Sequence, residues 1–193
     1  MLHVSPYKIV VAGENSFLRL GQEANDAPAH WASHWRVFWS DAGSGHALFL
    51  DSVLTEGVAI FSDNEEVARL LQRRVEPLLY MPFSDTELPI IRATFDRDGC
   101  PPNSTTETVT WDGGSALLVW SELQDPFSFS TEPGFHGRAL GHQTTFFSAG
   151  DASLIVNGRK AEGKPWPEAR GDRPCTSACL AWCETWFEPD GSA

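Results

Sequence analysis

The residues best suited to chemistry lie near the end of the chain, where acidic and aromatic residues alternate. If 177–187 forms a strand, Trp182, Glu184 and Trp186 share one face, because successive side chains of a strand point to opposite sides. Trp120 and Glu122 repeat this arrangement. Burial against aromatic rings raises the pKa of a carboxyl group, which suits a general acid or a neutral-pH general base. Glu184 and Glu122 are therefore candidate catalytic residues; the alternative is that both lie solvated at strand ends.

A histidine and an arginine complete the candidate catalytic set. His142 begins a strand-like run in which Phe146 falls on the same face. We expect His142 at the mouth of a pocket, where it or Arg92 moves protons or stabilises developing charge. The alternative for His142 is a structural or solvated residue at the end of a strand.

Two patterns suggest metal binding but fit it poorly. His30 and His34 have the i, i+4 spacing of ligands on one helical face, but a strand at this position would separate them by about 13 Å. Cys175, Cys179 and Cys183 recur every four residues. A zinc site would need a fourth ligand elsewhere. We predict no metal site and interpret the three cysteines as small buried hydrophobic residues.

Charge and missing motifs exclude several function classes. The net charge of −12 would repel nucleic acid and anionic membranes. The chain contains no phosphate-binding glycine motif and no nucleophile elbow, so we expect no cofactor. It also has no apolar stretch long enough to span a membrane as a helix. The first eight residues lack the pattern of a secretory signal, which predicts a cytoplasmic protein whose four cysteines are thiols.

The residue pattern predicts strands joined by tight turns, with one helix between them. Alternating and β-branched runs favour strands at 8–12, 34–40, 46–54, 57–61, 88–96, 105–111, 115–122, 140–148, 152–156 and 177–187. Glycine-rich turns at 41–45 and 112–114 indicate hairpins, and 124–137 and 159–174 are predicted loops. An amphipathic helix is expected at about 63–76, capped by Ser62 or Asp63 and ended by Pro77.

These elements predict a mainly β chain of one domain over 1–193, either an antiparallel β-barrel or a β-sandwich, with one amphipathic helix. In strand count, hairpin order and single helix, the architecture resembles a calycin-type (lipocalin-like) barrel. The chain has eight tryptophans and twelve phenylalanines. A small barrel can hold one apolar ligand among such side chains. The predicted ligand-binding residues of the lumen are Trp35, Trp39, Trp120, Phe146, Trp182 and Trp186.

Our leading functional hypothesis is a cofactor-independent enzyme, such as an isomerase, cyclase or hydratase–dehydratase. Its substrate would be a largely apolar small molecule folded by the aromatic walls, with carboxyl groups moving protons. One alternative is a non-catalytic binding or carrier protein with the same pocket. A second is a β-sandwich interaction module with a solid core, and a third is carbohydrate binding through exposed tryptophans on one outer sheet face. The sequence leaves the oligomeric state and the ligand's identity open.

Overall fold

Strands make up most of the chain. The computed structural model describes residues 6–21 and 28–190, so the predicted absence of a secretory signal falls partly on residues 1–5, outside this range. The strands are β1 (Tyr7–Leu20), β2 (His30–Ser40), β3 (Gly45–Ser52), β4 (Gly57–Ser62), β5 (Ile90–Gly99), β6 (Thr105–Trp111), β7 (Gly114–Leu123), β8 (Phe127–Thr131), β9 (Gly141–Val156), β10 (Arg159–Lys160), β11 (Pro167–Arg170), β12 (Arg173–Thr176) and β13 (Ala178–Pro189).

Nine of these strands close into a ring of hydrogen bonds. Their order is β9–β13–β1–β2–β3–β4–β5–β6–β7, and β7 pairs again with β9. This confirms the mainly β barrel with one helical region. The pairs in the ring are antiparallel except β4–β5, which is parallel. Because parallel neighbours cannot be joined by a tight hairpin, the chain needs a crossover at this point, and the helical segment provides it.

The helical segment consists of α1 (Glu65–Arg74) and α2 (Glu76–Leu79), close to the predicted bounds. Its N-cap is Asn64, whose side chain accepts from the backbone N–H groups of Glu66 and Val67. The predicted caps were wrong because both side chains have other partners: the hydroxyl of Ser62 donates to a backbone carbonyl of β3, and Asp63 accepts from His46. The prediction that Pro77 ends the helix was also wrong: Pro77 lies in the first turn of α2, where its missing N–H breaks no hydrogen bond.

The helical segment packs against the outer surface of the barrel wall. Val67, Leu71 and Val75 form the apolar stripe of the amphipathic helix and are fully buried. They belong to one cluster with Trp35 and Phe49, which point away from the barrel interior. The helix therefore covers the wall at β3, β4 and β5.

Side chains pack the barrel interior, which differs from the expected ligand-binding lumen. The strands of the ring contribute inward-facing aliphatic residues and two large aromatic residues, all almost fully buried: Leu18, Leu20, Leu48, Leu50, Leu118, Leu154, Leu180, Phe61 and Trp120. The Nε1–H group of Trp120 donates to the carbonyl of Phe17 at 2.9 Å, so the indole is fixed as a core residue.

Several strand boundaries differ from the prediction. β1 continues through Gly13, where a Cβ atom would lie 2.1 Å from the carbonyl oxygen of Arg36, so close backbone approach requires glycine there. β9 is one continuous strand instead of two. The predicted loops contain two strand regions that the residue pattern did not show. One is β8, which pairs with β9, and the other is the hairpin of β11 and β12. The last segment is strand β13, as favoured.

Leu118→Ala tests the packed interior. Removing this fully buried side chain should lower the free energy of unfolding by about 2–5 kcal/mol, because a cavity is left behind. Leu117, the preceding residue on β7, lies outside the interior cluster and is partly exposed. Leu117→Ala should therefore cost about 1 kcal/mol or less in urea denaturation. Equal losses for the two variants would contradict a filled interior.

Candidate functional site

A cavity of about 470 Å³ lies on the outer surface of the barrel wall. Its floor includes Phe17 of β1, Ser33 of β2 and Ala181 of β13. The residues next to them, Leu18, Ala32 and Leu180, belong to the interior cluster, so the floor residues point the opposite way. Residues of α2, β8, the β8–β9 loop and the β11–β12 turn form the remaining walls.

A β-bulge decides which side chains of β13 reach this cavity. Trp182 pairs with Thr145 and Thr185 pairs with Gln143. Between these two pairs β13 advances by three residues and β9 by only two. Cys183 is the extra residue, and its φ of +55° is in the left-handed region. One extra residue reverses the alternation of side chains. Trp182 therefore packs against the interior cluster, whereas Glu184 faces the cavity, which corrects the prediction that they share a face.

Glu184 has one carboxylate oxygen held in place and one without a partner. Oε1 accepts from the indole Nε1 of Trp186 at 2.7 Å and lies 3.0 Å from Nε2 of His142. Oε2 is buried and has no hydrogen-bond partner among the described residues. The side chain is only 3% exposed. A buried oxygen with free lone pairs at a cavity wall can accept a proton from a bound molecule.

His142 is positioned by strand register and by aromatic neighbours. It pairs with Trp186 across β9 and β13, and the two ring centroids are 4.5 Å apart. Phe129 and Phe146 lie 6.0 Å and 6.3 Å from the imidazole. These contacts orient the imidazole beside Glu184 at the cavity.

A second buried carboxyl group, Glu76 of α2, lies next to the cavity on the same outer side of the barrel wall. Its Oε1 accepts from Ser33 Oγ at 2.7 Å and from Trp35 Nε1 at 2.6 Å, and its Oε2 has no partner in the described part of the chain. Burial raises the pKa of Glu76 to about 7; the two hydrogen bonds oppose this shift and the charge of Glu184 adds to it. Glu76 therefore exchanges its proton near neutral pH.

Sequence reasoning missed Glu76 because it was placed at the end of the helix. The signal was its spacing. Glu76 follows Ala68 and Gln72 at intervals of four residues, next to the apolar stripe, and both of those residues are buried. When an acidic residue follows buried helix residues at intervals of four, it lies on the same buried face of the helix.

The rest of the cavity wall is aromatic and cationic. Its aromatic residues, besides those that contact His142, are Phe17, Trp31 and Phe135, and its guanidinium groups belong to Arg19, Arg138 and Arg170. Arg19 forms an ion pair with Glu168, and Arg170 lies 3.4 Å from the same carboxylate. The cavity thus has an apolar body, one lining carboxylate, that of Glu184, and cations in its walls.

The structure brings together four of the ten predicted site residues at this cavity: Glu184, His142, Trp186 and Phe146. Glu122 and Arg92 are exposed and lie outside it. Trp120 and Trp182 pack in the barrel interior, and Trp39 is 47% exposed on the surface. Trp35 lies beneath the helix, where it contacts Glu76.

The barrel interior holds a separate polar cluster. Arg97 lies 2.7 Å from Glu14 and hydrogen-bonds to Glu107, whose Oε2 is 3.7 Å from Nε2 of His34. Burial and the charge of Arg97 lower the pKa of His34 well below its ordinary value. Arg97 therefore neutralises buried carboxylates while His34 stays uncharged, a structural arrangement remote from the outer cavity.

The predicted metal candidates are dispersed. His30 and His34 face the barrel interior, and Nδ1 of His30 lies 2.7 Å from the hydroxyl of Ser52. The four cysteines are free, as predicted. Two of the three regularly spaced cysteines are buried, but Cys183 is exposed because the bulge turns it outward. Within residues 6–21 and 28–190, no three His, Cys, Asp or Glu side chains are grouped to hold a metal ion.

Comparison of the chain with protein-family models, with curated proteins and with solved structures finds no match. The helices of the described residues are all too short or too polar to span a membrane.

Glu76→Gln tests the buried carboxyl group. A pKa raised in the folded state from 4.5 to about 7 makes this group's contribution to stability fall as pH rises, by about 3 kcal/mol. The free energy of unfolding of the wild type relative to Glu76→Gln should therefore decrease by this amount between pH 4.5 and pH 8. Urea denaturation at both pH values measures it.

The control for this experiment is Glu87→Gln, which makes the same chemical change at an exposed carboxyl group. The wild type and this variant should differ in stability by less than about 0.5 kcal/mol at either pH. If the difference between wild type and Glu76→Gln does not change with pH, Glu76 does not have a raised pKa.

Proposed function

We propose that this protein is a cofactor-independent enzyme, of the isomerase, cyclase or hydratase–dehydratase type, that acts on a largely apolar small molecule. The substrate binds in the cavity on the outer surface of the barrel. The observation that carries this proposal is Glu184, which lines an aromatic cavity and whose Oε2 has no hydrogen-bond partner among the described residues, while Trp186 and His142 fix its other oxygen.

Glu184 and His142 act as the proton-transferring pair. Glu184 removes a proton from the bound substrate, or donates one to it, through a carboxyl group that the contacts at Oε1 already orient. His142 hydrogen-bonds to this carboxylate and compensates the charge that changes during transfer.

Glu76 is a positioning residue that acts on the site through its charge and through its hydrogen bond with Ser33. With its pKa raised to about 7, part of the Glu76 population is protonated at neutral pH, which reduces repulsion between the two carboxyl groups. Its hydrogen bond from Ser33 fixes a hydroxyl group that lines the cavity, and Ser33 also contacts Asn15 at 3.2 Å. The floor of the site is thereby ordered before substrate binds.

The aromatic walls supply most of the binding free energy for an apolar substrate. A volume of about 470 Å³ lies within the range of pockets that enclose a small molecule. Phe17, Phe129 and Phe146 present ring surfaces to it. These rings exclude water from the reacting bond and restrict the conformations of a flexible substrate.

We further propose that the protein is cytoplasmic, has neither nucleic acid nor an anionic membrane as a partner and works without a cofactor. Four free cysteines fit a reducing compartment, which favours a cytoplasmic location. The net charge of −12 disfavours nucleic acid and anionic membranes as partners. No cofactor is required by proton transfer through carboxyl groups and imidazole.

A non-catalytic carrier is the second candidate, and the same cavity favours it. A carrier would bind the same apolar molecules but would not need the free oxygen of Glu184. An interaction module with a solid core does not account for an aromatic cavity of this size. Conversion of a bound molecule is therefore the property that separates enzyme from carrier.

Elimination of 5-nitrobenzisoxazole tests the proposed base, because this apolar probe needs only a carboxylate to remove its C–H proton while its N–O bond breaks. The product phenolate is followed by absorbance. We expect wild-type protein to exceed the rate of an equal concentration of acetate, and Glu184→Gln to lower the protein-catalysed rate by roughly 10²-fold.

Glu122→Gln is the matched control and should leave this rate unchanged, since Glu122 is exposed and lies outside the cavity. Fluorescence titration with 1-pyrenebutanol should show that both variants keep the cavity. If Glu184→Gln is as active as the wild type, the assignment of Glu184 is wrong. Binding of pyrenebutanol without any elimination would instead favour the carrier.

A further inference from the structure

We propose that the molecule bound in this cavity carries a carboxylate, and that the guanidinium group of Arg138 binds it. This inference rests on the proposed function and narrows its substrate class from apolar molecules to apolar acids. It assigns Arg138 as a substrate-binding residue.

The charge around the cavity is opposite to that of the whole chain. The protein carries 26 acidic and 14 basic residues, yet three arginines line this one cavity. Glu168 accounts for the charge of one of them, because Arg19 and Arg170 both contact its carboxylate. The carboxylate of Glu184 in the same cavity offsets a second, so one positive charge is left in excess, which an anionic ligand can neutralise.

Arg138 differs from the other two arginines in having no partner. Arg138 lines the cavity and is half-buried, but in the described part of the chain its guanidinium group makes no hydrogen bond or ion pair. A guanidinium group has five N–H donors in a planar fork that matches the two oxygens of a carboxylate. Partial burial beside an apolar cavity strengthens such a contact, because less water competes for it.

The backbone holds this arginine in place. The N–H of Gly134 donates to the carbonyl of Arg138 at 2.7 Å, and the N–H of Arg138 donates to the carbonyl of Phe135 at 3.1 Å. Between them His136 adopts φ +49° and ψ +32°, a conformation that is unfavourable for a residue with a side chain. This tight turn presents both His136 and Arg138 to the cavity.

Strand register places Arg138 at the end of the cavity that holds His142 and Glu184. The turn joins the end of β8 to the beginning of β9, and Thr131 of β8 pairs with His142 of β9. Arg138 therefore belongs to the segment next to His142 and Glu184. We infer that the charged group and the reacting bond lie at the same end of the substrate. Phe17 and Phe146 then contact its apolar remainder.

The test compares two probes with the same apolar body, 1-pyrenebutyrate and the neutral 1-pyrenebutanol, in fluorescence titrations of the full chain. We expect the wild type to bind the butyrate about tenfold more tightly. Arg138→Gln should abolish this preference by weakening the butyrate alone. Added salt should likewise weaken only the butyrate. Arg159→Gln, at an exposed position outside the cavity, is the matched control and should change neither affinity.

The outcomes separate this inference from the proposed function. Equal affinity for the two probes, or a preference that survives Arg138→Gln, would overturn the carboxylate site while leaving the cavity in place. A preference abolished by Arg170→Gln but not by Arg138→Gln would overturn the assignment to Arg138. Failure of both probes to bind would overturn the carboxylate site and the proposed function together.

Discussion

The extra residue of β13 at Cys183 is the constraint on which the candidate site depends. Without it, the alternation that directs Leu180 and Trp182 into the barrel would also direct Glu184 inward, among packed aliphatic side chains. The bulge reverses the alternation and brings Glu184 and Trp186 to the outer surface. There Glu184 meets His142 through the register of β9, and the cavity obtains its carboxylate.

The packed interior and the outer cavity have complementary roles. Because large side chains fill the barrel, the wall that carries the site is a rigid support, and side chains on its outer surface keep their positions. The segments that cover this surface are the helix α2, strand β8 with the turn after it, and the β11–β12 pair. The site thus lies between a rigid wall and shorter segments that shape the cavity.

Burying two carboxyl groups in one wall is unfavourable for stability, and the structure offsets only part of that cost. One oxygen of each group receives two hydrogen-bonding contacts, while the other oxygen of each has no partner among the described residues. A buried unpartnered oxygen typically costs about 1–3 kcal/mol. Retaining such groups is characteristic of sites that transfer protons, where a free lone pair is what the chemistry uses.

The sequence by itself determined the local elements and part of the site. Period-two runs separated by glycine-rich turns define hairpins such as 105–123, and the stripe of Val67, Leu71 and Val75 defines the buried face of the helix, because these signals depend on neighbouring residues. The association of Glu184 with Trp186 was predictable for the same reason. Only the tertiary structure decided which side of the wall receives them, because a bulge depends on pairing with a distant strand. It also brought Glu76 of α2 into contact with Ser33 and left Glu122 and Arg92 exposed, since these positions follow from long-range packing that no local pattern encodes.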